Sequence, residues 1–380
     1  MKITEAETLL LEVPHAEPHQ KAWSVGVEHA RLLTLVILRS DGGARGYGIG
    51  CGDSRGAVAA AAEPLIGKPL PDLRSRPDPA STMSRVHEQQ AWALDMAMCD
   101  LAGKEAGAPL FELWAPDTAP ERPPRALRAY VPPVVARTLE DRAAHALAMR
   151  ERGFTAIKLR AAHATVEEDV AMVQAVRNAV GDTMDILVDA NMAAGGRGAR
   201  PDWDLPRALR TAEKLAALDV VWLEEPLPRE QIADLEALTR RSPIRIAGGE
   251  GDHGLAAQER LLASDAYHVL QPDAASTAGL SAMRGWAAAA ARTNRWFVPH
   301  HGGSALGMAA HLHLGATLTN SPYVEYMLDP PWRTMESFQM LHGVFPEPIP
   351  LQADGSAVAP DGPGFGLPVD EAAARRLAVV

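Results

Sequence analysis

Cysteine is scarce in this chain. Cys51 and Cys99 are the two among 380 residues, too few for a disulfide framework and in keeping with a reducing compartment. Positive charge is the minority sign: 37 Lys and Arg stand against 48 Asp and Glu, a formal net charge of −11. That balance argues against a general binder of nucleic acid or anionic membrane and leaves room for a local basic pocket only. No uninterrupted apolar run reaches bilayer-spanning length. The opening MKITEAETLLLEVPHAEPHQ brings acids too early, and breaks its apolar run too soon, for a secretory signal. A cytoplasmic enzyme or small-molecule binder is the expected class. What the chain does have is 47% hydrophobic and 22% charged residues, enough for a large buried core.

The first third mixes patterns. HARLLTLVILRSDG has strand character, the Gly-rich GYGIGCGDSRG reads as a loop, and ALDMAMCDLAGKEAGAPLFELW reads as a helix interrupted near its end by Gly and Pro. The Pro- and charge-rich segment from Ala115 to Arg125 is expected to be a linker. Beyond Arg128 the rhythm changes. Eight short apolar runs, AYVPPV, TAIKLR, DILVDAN, VVWLEEP, IRIAGGE, AYHVLQPD, WFVPHHG and YVEYML, alternate with alanine-rich segments of helical period. Such alternation implies parallel strands with crossover helices closing into a barrel. The Gly-rich phosphate turn of an open doubly wound sheet is missing after the first run. The stretch after the eighth run, DPPWRTMESFQMLHG, is broken by prolines and marks its helix poorly.

Almost every strand ends in residues that a core strand should avoid: Lys158 and Arg160, Asp189 and Asn191, Glu224 and Glu225, Glu250, Asp273, His300 and His301, and Glu325. In a parallel barrel these ends converge on one mouth, where such folds place their chemistry. Lys158 and Arg160, two apart on a strand, share a face and require an anion. Asp189, Glu224 and Glu250 lie on three successive strands. Three carboxylates so close are costly without a cation, and an all-oxygen set favours Mg2+ over Zn2+. Glu225 should face away from Glu224 and form an ion pair behind the barrel wall. His300 and His301 are adjacent, so one of them should face the mouth, with Asp273 fixing the imidazole tautomer. His311 and His313 sit on a helix, where two positions diverge by about 200°, and are read as core. Trp222 and Trp296 are read as packing.

Together these motifs resemble the enolase superfamily, in particular its mandelate racemase and muconate lactonizing branch. The resemblance implies a modified (β/α)7β barrel over 126–348 and an N-terminal α+β capping domain over 1–125. A C-terminal segment, 349–380, would return to the cap. It carries metal-ligand roles to Asp189, Glu224 and Glu250 in VDAN, WLEEP and GGE. The dyad roles fall to Asp273 and His300 in QPD and VPHHGG, and the acid that hydrogen-bonds a substrate carboxylate is Glu325. Lys158 matches the first lysine of a KxK motif; Arg160 replaces the second. The resemblance further implies Mg2+, a small carboxylate substrate and a homo-oligomer, with no nucleic acid or membrane partner.

A guanidinium keeps its proton far above neutral pH, so Arg160 is expected to bind and polarise the substrate without serving as base. One base, His300, suits dehydration of an acid sugar to a 2-keto-3-deoxy acid. Racemisation or epimerisation, which needs competent groups on both faces, is the alternative, and cycloisomerisation follows. A catalytically silent barrel and a zinc amidohydrolase are opposed by the intact ligand set and by the lack of an HxH in AYVPPV. Specificity is expected from PHAEPHQKAW with His19 and Lys21, from GIGCGDSRG with Cys51, from Asn191, and from MAAGGRGARPDWD acting as a lid.

Overall fold

The computed structural model describes residues 1–70, 82–115, 126–161, 163–194 and 202–380. Most of the expected linker, 116–125, and the middle of the expected lid, 195–201, lie outside them.

Strands β1 (Ile3–His19), β2 (Glu28–Ser40) and β3 (Arg45–Cys51) form an antiparallel sheet with a helix, Trp92–Ala106, packed on it. The Gly-rich stretch expected to be a loop is therefore strand β3. Its glycines lie under the helix: a Cβ at Gly46 would stand 2.3 Å from the Ala97 carbonyl oxygen, and one at Gly48 1.9 Å from that of Ala93. Only a bare backbone lets the helix seat directly on the strand. β1 extends through PHAEPH, so the connection that can cover the barrel mouth is 20–27.

Among the described residues the barrel holds eight parallel strands: β4 (Ala126–Val131), β5 (Ala156–Arg160), β6 (Asp185–Asp189), β7 (Val220–Glu224), β8 (Arg245–Gly248), β9 (Val269–Leu270), β10 (Trp296–Phe297) and β11 (Tyr323–Glu325). They correspond one for one to the eight apolar runs. The hydrogen-bonded order is β10-β9-β8-β7-β6-β5-β4-β11. Between β10 and β11 the ring is closed by Phe297 N–H to the Asn320 carbonyl at 2.9 Å, and by the Asn320 amide to Arg295 O at 2.9 Å. Crossover helices begin at side-chain caps such as Thr138, Thr165, Asp204 and Ser304. The segment after β11 forms a helix of four residues, Met335–Phe338, which makes the barrel (β/α)7β. β12 (Ser356–Val358) then pairs with β4, and β13 (Ala378–Val379) pairs with β1 in the N-terminal sheet. None of the described helices is long and apolar enough to cross a membrane.

The barrel interior explains where the polar ends come to lie. One inward side chain per strand forms an apolar layer: Tyr130, Ala156, Leu187, Trp222, Ala247, Val269, Val298 and Tyr323. Tyr130, Trp222 and Tyr323 meet edge to face at 5.4 to 6.3 Å, each pair adding about 1 kcal/mol to its burial. Strand period two then brings the next inward layer, Lys158, Asp189, Glu224, Gln271, His300 and Glu325, directly above this plug. On β8 the step is broken by Gly249 at φ +109°, which puts Glu250 in place one residue later.

Candidate active site

Lys158 is fully buried and surrounded by acids. Its Nζ stands 2.7 Å from Glu224 Oε1, 2.9 Å from Glu325 Oε1 and 3.8 Å from Asp189 Oδ2. Burial alone would lower its pKa; Glu224 and Glu325 outweigh that and push it above the ordinary lysine value. Arg160 hydrogen-bonds Asp189 Oδ2, the Asn191 side-chain oxygen at 3.4 Å and the Pro133 carbonyl at 3.3 Å. Its guanidinium lies 4.2 Å from the Trp23 ring centroid. Burial opposes its charge, yet Asp189 and Glu325 hold its pKa above the ordinary value. Both cations of β5 therefore keep their protons, and their anions are acids of the site itself.

The carboxylates are crowded. Burial and Glu224 drive Asp189 upward against the pull of Arg160, while Glu224, equally buried, is held down by Lys158. Asn191, at φ +52°, donates its backbone N–H to Asp189 Oδ1 at 2.8 Å and its side-chain amide to Oδ2 at 3.0 Å. Glu224 Oε2 accepts from Trp222 Nε1 at 3.1 Å and Gln271 Nε2 at 3.0 Å. Trp222 is thus more than packing: it orients a carboxylate. Both it and Gln271 stand two residues before a site acid, Glu224 or Asp273, so strand period could have found them. Glu225 turns away at φ +44° and is buried. It makes no ion pair among the described residues, and burial followed by Glu250 pushes its pKa well up, so the expected pair behind the wall does not form.

Opposite β5, His300 Nδ1 lies 2.9 Å from Asp273 Oδ2, and its Nε2 lies 3.1 Å from Glu250 Oε2 and 3.8 Å from Glu325 Oε2. Asp273 also receives the N–H groups of Gly302 at 3.1 Å and Ala275 at 2.8 Å. Burial works against charge on His300; Glu250, Glu325 and Asp273 overcome it and raise the imidazole to about 10. His301 was expected to turn away, yet it borders the same cavity as His300. The rings are 4.0 Å apart, and His301 Nδ1 accepts from Gly303 N–H at 2.9 Å. Burial, then His300, keep His301 well below the ordinary value. His311 and His313 are buried: His311 Nε2 accepts Ala274 N–H at 3.1 Å and thereby supports the loop of Asp273.

The mouth opens into a cavity of about 280 Å3 between barrel and cap, bordered by Arg160, Asn191, Glu250, His300, Lys21 and Trp23 among others. Lys21 is paired with Glu28 at 2.8 Å. His19 does not line this cavity; it is buried, with its ring 4.5 Å from His15.

Asp189, Glu224 and Glu250 are all oxygen donors, each facing a cation: Arg160, Lys158 and His300. That chemistry fits a hard divalent ion. Among the described residues, the potential ligand atoms that lie within 4.8 Å of one another belong instead to Asp273, His300 and His301. The hydrogen bonds that occupy Asp273 Oδ2 and His301 Nδ1 make this trio a hydrogen-bonded dyad with a neighbour.

A barrel with this polar rim is an enzyme scaffold, and the comparisons with known proteins agree. Residues 141–373 match the family described as Enolase C-terminal domain-like, and the chain belongs to the enolase superfamily. It is 30% identical to D-galactarolactone cycloisomerase of Agrobacterium fabrum, over 97% of this chain and 97% of that protein. It is 28% identical to L-talarate/galactarate dehydratase of Salmonella typhimurium, over 74% of this chain and 63% of that one. A solved racemase from Streptomyces coelicolor A3(2) with bound magnesium superposes with a TM-score of 0.78 at 25% identity, over 99% of this chain and all of that one.

Proposed function

We propose that the protein removes the α-proton of a small carboxylate with His300 and expels an oxygen from the neighbouring carbon. The observation that carries this reading is the polarity of the His300–Asp273 pair: Nδ1 is anchored at 2.9 Å, leaving Nε2 to the mouth. Asp189, Glu224 and Glu250 would hold Mg2+, which supplies charge to stabilise the enediolate form of the substrate carboxylate. Asp273 fixes the tautomer of His300, Lys158 binds a carboxylate oxygen of the substrate, and Glu325 hydrogen-bonds the other when its carboxyl carries a proton. His300 needs to be neutral to accept a proton; Glu250, one of the acids that raise it, would be drawn from Nε2 by holding Mg2+. Arg160 cannot exchange a proton, so chemistry is confined to one face. After abstraction, the same imidazole returns its proton to the departing oxygen.

In an open-chain acid sugar that oxygen leaves as water, giving a 2-keto-3-deoxy acid. In a cyclic one it stays attached and the ring opens. The cyclic reading draws support from the end-to-end match to a cycloisomerase; the resident base and the first step are the same in both.

The test is incubation with a panel of acid sugars and acid-sugar lactones in deuterated solvent with Mg2+. Wild type should wash deuterium into the α-position and yield 2-keto-3-deoxy products; His300→Asn should do neither. Exchange that survives in His300→Asn would refute the assignment, and wild-type exchange through both faces would favour a racemase or epimerase.

A further inference from the structure

At the barrel end of the cavity each cation faces a carboxylate. At the cap end, among the described residues, Arg31 and Arg333 have no carboxylate in ion-pair contact, and Arg333 also lacks the backbone partners that Arg31 has. Arg333 follows β11 in the turn Asp329–Arg333, borders the cavity and is 6% exposed. Among the described residues its Nε has no hydrogen-bond partner, and Nη1 reaches only the Met327 sulfur at 3.6 Å. Nearby acids are engaged elsewhere. Asp329 binds Arg137 and the N–H groups of Val134 and Val135 at 2.6 and 3.1 Å; Glu28 holds Lys21, and Glu325 holds Lys158. A like charge shares the cap end: Arg31 and Arg333 stand 3.9 and 5.6 Å from the ring of Phe338. Arg31 directs both terminal nitrogens to backbone carbonyls, those of Gly303 and Phe338.

A buried guanidinium with no acid in direct ion-pair contact is costly, even with Glu28, Asp329 and Glu325 acting on it from a distance. The turn does not explain it, because Asp329 and Arg333 hold the turn through their backbones, N to O at 2.8 and 2.9 Å in both directions. We infer that the substrate carries a second anionic group, a carboxylate or a phosphate ester at the end remote from the reacting carbon, and that Arg333 binds it. This rests on the proposed function for the reacting end only. Burial weakens the charge on Arg333, pushing it down to about 10, a cost that a bound anion would offset. The fork of Arg333 suits two oxygens at once.

The experiment measures binding to the Mg2+-loaded protein by calorimetry, using ligands matched in configuration. Gluconate, glucarate and 6-phosphogluconate form one set, galactonate and galactarate a second. Wild type should bind at least one dianion about ten-fold tighter than its matched monoacid. Arg333→Met should erase that ratio, and Arg333→Lys should keep part of it. Preference for glucarate or galactarate identifies a carboxylate; preference for 6-phosphogluconate identifies a phosphate. Equal or tighter binding of the monoacids by wild type would overturn the inference, as would a ratio that Arg333→Met leaves intact. The wild-type ratio and the Lys variant decide the matter even if the Met variant does not fold. His300→Asn should retain the preference, so α-proton exchange that survives in His300→Asn beside an intact ratio would count against the proposed function alone.

Discussion

Two walls face each other across the cavity, and they treat buried charge differently. On β5, Lys158 and Arg160 are bound to Glu224, Glu325 and Asp189, and these acids raise their pKa values further. On the β9–β10 side, His300 is charged only while Glu250, Glu325 and Asp273 outweigh its burial. The first wall carries groups whose ordinary values lie far above neutral pH, and the second an imidazole whose charge at neutral pH depends on its neighbours. Proton transfer needs the second kind, so under the proposed function binding falls to one wall and exchange to the other.

The sharpest way to break the contrast is to remove the tautomer control. Asp273→Asn would offer Nδ1 an amide that can leave the proton on the wrong nitrogen. Deuterium exchange at the α-carbon should fall by about 10^3-fold, while binding of a substrate acid should change far less. An exchange rate within ten-fold of wild type would deny Asp273 this role.

Acid should weaken the base wall while sparing β5. Burial, beyond the opposing pull of Asp273, depresses His311 to about 4, so the unfolded chain, with its ordinary value, binds the proton first. The contribution of neutral His311 is intact above the unfolded pKa and is lost progressively as pH falls through about 6.5 towards 4, costing about 2 kcal/mol at pH 5. His311→Gln keeps an acceptor for Ala274 N–H without this titration. Thermal or urea unfolding at pH 7.5 and pH 5 should therefore show wild type losing about 2 kcal/mol more than the variant. Equal losses would contradict it.

The smallest effect should come from making the walls alike. Arg160→Lys gives up the contact fork on Asp189 and Asn191, weakening substrate binding about ten-fold. It also introduces an amine whose pKa neighbouring cations can lower. Exchange should then reach the second face of the α-carbon, read from the configuration of recovered deuterated substrate. No exchange on that face would show that position 160 cannot supply a base.

The barrel was legible because its signal is local. Each strand is a short apolar run that ends in a polar residue, and both halves of that pattern survive in a single sequence. β3 was not legible. Its glycines look like a loop until the helix that needs their bare surface is known, and that helix lies about forty residues away. His301 was misread because strand alternation was applied beyond the strand: β10 ends at Phe297, and the chain past it is irregular. Glu225 was misread for a similar reason, since burial placed it among other acids rather than beside a cation. Arg333 carried no sequence signal at all. Its lack of an ion-pair partner among the described residues shows only in the assembled cavity.

The closure between β10 and β11 has a mechanical meaning. Elsewhere in the ring each pair of neighbouring strands shares a ladder of two to five residues, whereas β10 and β11 share none. At the closure, β10 pairs two residues with β9 and meets the other side through Asn320. A ring with one thin joint concentrates its compliance there. The joint borders the strand that leads to His300. The acids that would grip a cation thus sit on or just past strands laddered on both sides, and the group that must approach and withdraw from carbon sits beside the split.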